Sequence, residues 1–192
     1  ELSYLNVPEE TSCEIKTIKK QRNTFFIDTT HGKIEAKSVI FATGLLASPK
    51  TGSDGSAFPY IENFGHHFID IVPALVQLQG KQSFFKALAG IRAENSIKLY
   101  IENRKISSER GELQLTDFGI SGIPVFQLSR YATKALKQKK KVHVLLDFMP
   151  DTELTELEKN MALRFRKNAH GKTAGEALIG LLNKKLSGVL LK

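Results

Sequence analysis

Val39-Ile40-Phe41-Ala42-Thr43-Gly44 is the stretch on which the fold turns: an apolar run closed by a small polar residue and a glycine. Such a run fits a strand buried on both faces, as in a parallel sheet covered by helices. Ligands of open α/β sheets gather at the carboxyl ends of their strands, which is where Ala42, Thr43 and Gly44 fall. Upstream, residues 12–18 (SCEIKTI) and 24–30 (TFFIDTT) carry strand character. His31-Gly32 then separates the second of these from Lys33-Ile34-Glu35-Ala36, as a two-residue hairpin turn would. Downstream comes a loop of turn formers, Ser48-Pro49-Lys50-Thr51-Gly52-Ser53-Asp54-Gly55-Ser56. Residues 57–64 then allow a short helix, with Pro59 confined to its first turn and Gly65 as its cap.

From Phe68 the pattern changes, and a strand from Phe68 to Leu78, bent at Pro73, is expected. Ile97, Leu99 and Ile101 alternate with Lys98, Tyr100 and Glu102, the mark of a half-buried strand. Leu113 and Leu115 repeat it after a turn placed at Arg110-Gly111, and Val142 to Phe148 reads as one more strand. Pro124 suits the first turn of a helix to about Lys137, with Val125, Leu128, Ala132 and Leu136 on one face. Short strands around one helix predict a small antiparallel barrel or sandwich. The last 42 residues read as helical, with Leu154, Leu157, Met161 and Phe165 as a buried stripe. Gly171 would break this helix. Thr173-Ala174-Gly175-Glu176 is a capping-box pattern opening another, with Leu178, Leu181 and Leu182 buried and Gly188 as its stop. The apolar end Val189-Leu190-Leu191 reads as an interior point of a longer protein. The expected divisions are residues 1–66, 67–150 (barrel) and 151–192 (helices).

Bulk composition narrows the function classes. No stretch approaches the ~18 apolar residues of a membrane helix, and the single cysteine, Cys13, points to a reducing, cytoplasmic compartment. In its strand-like setting Cys13 reads as a small hydrophobe without chemistry. The net charge of +8 is uneven. Residues 1–129 hold 14 basic and 14 acidic residues, whereas 130–192 hold 14 basic and 6 acidic. A basic end suggests a nucleic-acid module as one function class. Yet that third has only Tyr131, Phe148 and Phe165 to stack bases, and Lys137–Lys141 reads as a helix end whose cations complement the dipole.

Independent catalytic signatures are lacking: no G-x-S-x-G, cysteine pair, H-E-x-x-H or Walker A loop occurs. His66 and His67, adjacent on an expected strand, point to opposite faces and make a poor joint metal site. No metal site is therefore expected. The loop Lys50-Thr51-Gly52-Ser53-Asp54-Gly55 has two readings. Its small residues let backbone N–H groups face an anion or a neighbouring domain, or they form an ordinary surface turn.

The order of two blocks adds a resemblance. Val39 to Gly44, followed by Ser48 to Gly55, resembles the BaiN/YhiN-like flavoprotein family of NAD(P)/FAD-dependent oxidoreductases. Gly111-Glu112-Leu113 and then Thr116-Asp117-Phe118-Gly119-Ile120-Ser121-Gly122 is similar to that family's GELLFTHFGISGP segment. Pro73-Ala74-Leu75-Val76 lies between the two blocks, about 60 residues apart. Two departures concern local turns: Leu45 stands where the family often has a second glycine, and Ile123 precedes Pro124 where the family has proline directly.

The family's opening G-x-G-x-x-G/A phosphate turn and its glycine-rich closing flavin segment are not in this sequence. The resemblance therefore implies an internal segment, α+β, with part of a Rossmann-like FAD domain, a small antiparallel barrel insert and a helical subdomain. It implies that FAD in the intact protein passes hydride between NAD(P)H and an organic substrate, and that the segment alone is inactive. Ile15 would offer strand backbone to the adenine, and Ala42, Thr43 and Gly44 would approach the dinucleotide. Phe118, Gly119, Ile120, Ser121 and Gly122 would return near the isoalloxazine or the substrate cleft, sharing it with the Thr43-Gly44 strand end. A barrel turn using glycine for positive φ is the other reading of that loop. Two rival functions remain from outside catalysis: a basic nucleic-acid-binding module, and an insert that only shapes structure or oligomer contacts. The sequence names no catalytic residue.

Overall fold

The structure is a computed structural model that describes residues 2, 4–167 and 173–192. The chain divides into two compact units, Glu1–Ile71 and Val72–Lys192. It is an α+β protein.

In the first unit β1 (Ile15–Gln21), β2 (Thr24–Thr29) and β3 (Gly32–Ala36) form an antiparallel meander in the order β1-β2-β3. β-Branched and aromatic residues such as Ile18, Phe25 and Ile27 favour these strands. Thr29 pairs with Gly32, so the second turn is Thr30-His31, one residue earlier than its glycine suggests. The buried Thr29 holds this turn: its hydroxyl donates to the Gly32 carbonyl at 2.8 Å and accepts from the His31 N–H at 3.1 Å. After a 3-10 turn at Pro49–Thr51 comes α1 (Phe58–Glu62), with Pro59 in its first turn as expected. The Tyr60 hydroxyl donates to the Ile15 carbonyl at 2.7 Å, and Phe25 meets Phe64 edge to face at 5.6 Å.

Val39 to Gly44 is not a strand. Ile40 is 89% exposed, and all described strand pairings are antiparallel and lie elsewhere. A strand is defined by the neighbours that bond its backbone. Among the described residues none pairs with 39–44, so the apolar run stays an unladdered segment.

The second unit contains β4 (Leu78–Gln79), α2 (Phe85–Leu88), β5 (Arg92–Ile101), β6 (Arg104–Leu115), β7 (Gly119–Ser121), α3 (Ile123–Lys137) and β8 (Val142–Asp147). α4 (Leu154–Lys167), α5 (Ala174–Ala177) and α6 (Lys184–Leu190) follow. The strands make one antiparallel sheet in the order β4-β7-β6-β5-β8, curled as a half-barrel. Ile97 and Leu99 of β5 alternate inward as expected, and so do Leu113 and Leu115 of β6. They pack with Val125, Leu128 and Ala132 of α3. Each of the leucine, isoleucine and valine side chains contributes about 1.5–3 kcal/mol by leaving water. Leu186 of α6 lies in this same core, so the last helix shares it.

Several local expectations need correction. Phe68 to Gln77 is not strand; only Leu78–Gln79 pairs, through Ile120 and Gly119. The β5–β6 turn is Glu102-Asn103, both left-handed at φ 48° and 64°, and β6 runs straight through Arg110-Gly111. Two residues with positive φ match the twist of a tight hairpin, which outweighs the glycine signal. On α3 the inward position is Ala135, while Leu136 is 55% exposed. The α4 stripe is not buried: Leu154 is 67% and Phe165 40% exposed, with Leu157 and Met161 half-buried. Periodicity aligned these residues, but α4 packs against α5, a single helical turn too short to cover them. The capping box at Thr173 and Glu176 forms, yet its helix ends at Ala177, and Gly188 lies inside α6. Gly171 lies outside the described residues.

Candidate functional site

In the first unit, Ile15 opens β1 with its carbonyl already accepting from Tyr60. Ala42, Thr43 and Gly44 are exposed, and among the described residues the backbone of 39–44 makes no hydrogen bond to other backbone groups. Their N–H and C=O groups are thus open to an incoming strand or ligand. Gly44 lies against Ser53: a Cβ built on it would overlap the Ser53 hydroxyl. The structure therefore brings the end of the apolar run onto the loop Lys50–Gly55.

That loop bonds largely to itself. Ser53 N–H reaches the Ser48 carbonyl at 3.2 Å, Gly52 N–H that of Pro49 at 3.2 Å, and Thr51 N–H that of Ser48 at 3.0 Å. Asp54 accepts from Ser56 N–H at 2.9 Å, and hydrogen bonding from Ser56 draws the Asp54 carboxyl below its ordinary range. Gly55 accepts from Phe58 N–H at 3.0 Å, joining the loop to α1. An anion at this loop would find the N–H groups of Thr51, Gly52, Ser53 and Ser56 already used.

In the second unit, Phe118 to Gly122 forms a rigid turn into α3. Gly119, Ile120 and Ser121 are buried as β7, between β4 and β6. Gly80 N–H donates to the Phe118 carbonyl and Thr116 N–H to that of Gly119, both at 2.9 Å. Both glycines are required here. A Cβ on Gly119 would overlap the Leu78 carbonyl oxygen; one on Gly122, at φ 112°, would overlap that of Glu112. Outside this buried strand, Phe118 is 44% and Ile123 71% exposed. α3 opens at Gly122 without a side-chain cap and without an acidic residue in its first turn. Its N-terminus therefore keeps the partial positive charge of the helix dipole. Chemically, the turn offers two apolar side chains on a fixed backbone beside an electropositive helix end.

Three features escaped the sequence reading. Ser129 on α3 accepts from Val76 N–H at 3.3 Å, and Thr133 donates to the Pro73 carbonyl at 2.7 Å. Together they tie the Pro73–Val76 segment to α3; two hydroxyls four residues apart on one helix face were the available signal. Asn95 of β5 is fully buried, with neither side-chain polar atom hydrogen-bonded. Arg110 forks onto Asp151 at 2.7 and 2.6 Å, a contact between β6 and the segment before α4. These hydrogen bonds hold the Asp151 carboxyl below its usual range and raise Arg110. That partnership spans 41 residues, and spacing does not announce it.

With the geometry in hand, known proteins give two matches. The family model described as "HI0933-like protein barrel and H2TH domain" matches residues 72–192. A 3-dehydro-bile acid delta(4,6)-reductase of Clostridium scindens is 35% identical over 192 residues, covering 100% of this chain and 47% of that protein. The chain thus spans about half the length of the curated relative it matches.

Proposed function

This chain belongs to the HI0933-like family of flavoproteins, and from that membership we propose that it is an internal segment of an FAD-dependent oxidoreductase. In the intact protein FAD passes hydride between NAD(P)H and an organic substrate. The first substrates to test are 3-dehydro-bile acids, the class named for the Clostridium relative. The segment alone is inactive.

The observation that carries this reading is the Phe118–Gly122 turn: exposed Phe118 and Ile123 flank three buried residues on a backbone that admits no side chain at Gly119 or Gly122. Such a surface keeps its shape when a flat ring or apolar substrate lies against it, so little ordering is spent on binding. The uncapped α3 N-terminus favours the electron-rich edge of such a ring. In the first unit the open backbone of Ala42, Thr43 and Gly44 fits close approach of a dinucleotide. The flavin supplies the redox chemistry when bound. The protein's part is to position the ring and to exclude water through Phe118 and Ile123.

The test is the visible spectrum of the full-length protein with and without NADPH. A yellow protein bleached by NADPH is expected, and a colourless one overturns the reading. A Phe118→Ala variant in the full-length protein should keep its flavin and lose turnover with substrate. Unchanged turnover would return the loop to a plain barrel turn. The 192-residue chain alone should leave FAD fluorescence unquenched at micromolar concentrations.

A further inference from the structure

Glu10, Cys13 and His31 each place a ligand atom within 4.8 Å of the other two. We propose that these three residues form a binding site for a thiophilic divalent cation, zinc being the natural occupant. The site is independent of the flavin reading, because none of its thiol, imidazole and carboxylate belongs to a residue assigned to the flavin.

Those are the donor types zinc takes, a cysteine sulfur at about 2.3 Å and nitrogen or oxygen at about 2.0–2.2 Å. Two such N and O ligands at the tetrahedral angle lie about 3.4 Å apart. His31 Nδ1 and Glu10 Oε2 are 3.3 Å apart, so this pair already has the separation of two ligands on one ion. Cys13, half-buried, completes three protein donors and leaves a fourth position for water.

The chain holds this arrangement by contacts other than the donors themselves. His31 is in the two-residue β2–β3 turn fixed by the buried Thr29 hydroxyl. The residue after Cys13 is bonded to the residue before His31: Thr30 N–H donates to the Glu14 carbonyl at 2.9 Å, and Glu14 N–H to the Thr30 hydroxyl at 3.0 Å. Cys13 and His31 are therefore carried on two strands of backbone already clamped to each other. Glu10 reaches in from the segment ahead of β1. A bound ion would cross-link that segment to the hairpin. Binding displaces a proton from the Cys13 thiol, since the thiolate is the ligand.

The experiment titrates Co²⁺ into the whole 192-residue chain kept reduced with a phosphine. Expected are one equivalent bound, a thiolate-to-cobalt charge-transfer band in the near ultraviolet, and displacement of that band by one equivalent of Zn²⁺. Cys13→Ser should abolish the band. Glu10→Gln and His31→Gln, both at exposed side chains, should weaken Co²⁺ binding by at least the ~10–100-fold that loss of an outer-shell partner costs. Circular dichroism of each variant checks that it folds, and the exposed Glu10→Gln keeps the test open if Cys13→Ser does not. Absence of a charge-transfer band, or Co²⁺ binding unchanged in Cys13→Ser or in Glu10→Gln, would overturn the site.

Discussion

The two units put their apolar residues to different use. In Val72–Lys192, α3 lies on the sheet, and Ile97, Leu99, Val125 and Leu128 are all 0% exposed. Among the described residues of Glu1–Ile71 the buried positions are Ile18, Thr29 and Ala57, while Ile40 is 89% and Ile69 90% exposed. Both have strand-forming sequence and antiparallel ladders. What differs is a second layer. A sheet stabilises itself only when one face is covered, and α3 supplies that cover in the second unit. Among its described residues the first has only the one-turn α1 as an α-helix. In the proposed function the exposed Ile40 and Ile69, which lie outside the meander, are covered by another element of the longer flavoprotein.

The sharpest way to break this contrast is Leu128→Ala. It deletes a fully buried side chain from the α3–sheet contact and should cost about 2–5 kcal/mol, read by urea denaturation of the chain. A loss below 1 kcal/mol would mean that α3 does not hold the second unit together. Gly122→Ala comes next. It forces alanine to φ 112° against the Glu112 carbonyl and should cost on the order of 1–3 kcal/mol in the same assay. Asn95→Leu runs the other way. It replaces a buried amide without partners by an apolar side chain of the same branching, and relief of that desolvation cost, less the crowding by leucine's larger methyl groups, should raise stability by about 1 kcal/mol. A fall instead would show that Asn95 has a bonding partner in solution or that crowding outweighs the relief.

Ile40→Ser carries the contrast into the first unit. At an 89% exposed position it should stay within about 0.5 kcal/mol in this chain. The same change in the full-length protein should destabilise more if the segment is covered there, as the proposed function requires. The smallest effect is electrostatic. Arg110 lowers the Asp151 carboxyl below its usual 3.8, so the pair stabilises the fold above that value. The gain is lost as pH falls through the depressed folded value. Asp151→Asn should therefore lower Tm slightly at neutral pH and match the parent at strongly acid pH. Added salt should narrow the neutral-pH gap, since both side chains are exposed.

Legibility in the sequence followed the range of the interaction. The β5 and β6 alternation was readable because side-chain direction along a strand is set residue by residue. The glycines of the Phe118–Gly122 turn were visible as residue types. The reason for them was not: it is the Leu78 and Glu112 carbonyls, which come from β4 and β6. The hairpin turn at Glu102-Asn103 was missed because neither residue advertises a left-handed conformation as strongly as the glycine at 111.

By itself, the sequence determined an α+β chain, the strand periods, α3 with its proline start, the capping box at Thr173, and membership of a flavoprotein family through two ordered motifs. All of these rest on residues close along the chain, where backbone geometry leaves few alternatives. Only the tertiary structure decided that Val39–Gly44 is not a laddered strand, that Ala135 rather than Leu136 faces inward, that the α4 stripe stays open, and that Glu10, Cys13 and His31 meet. Each of those depends on a partner: a neighbouring strand, a covering layer, or a turn that brings residue 31 back to residue 13. Hydrophobicity and residue type state what a segment can bury or bind, but which surface arrives to meet it is a property of the folded chain.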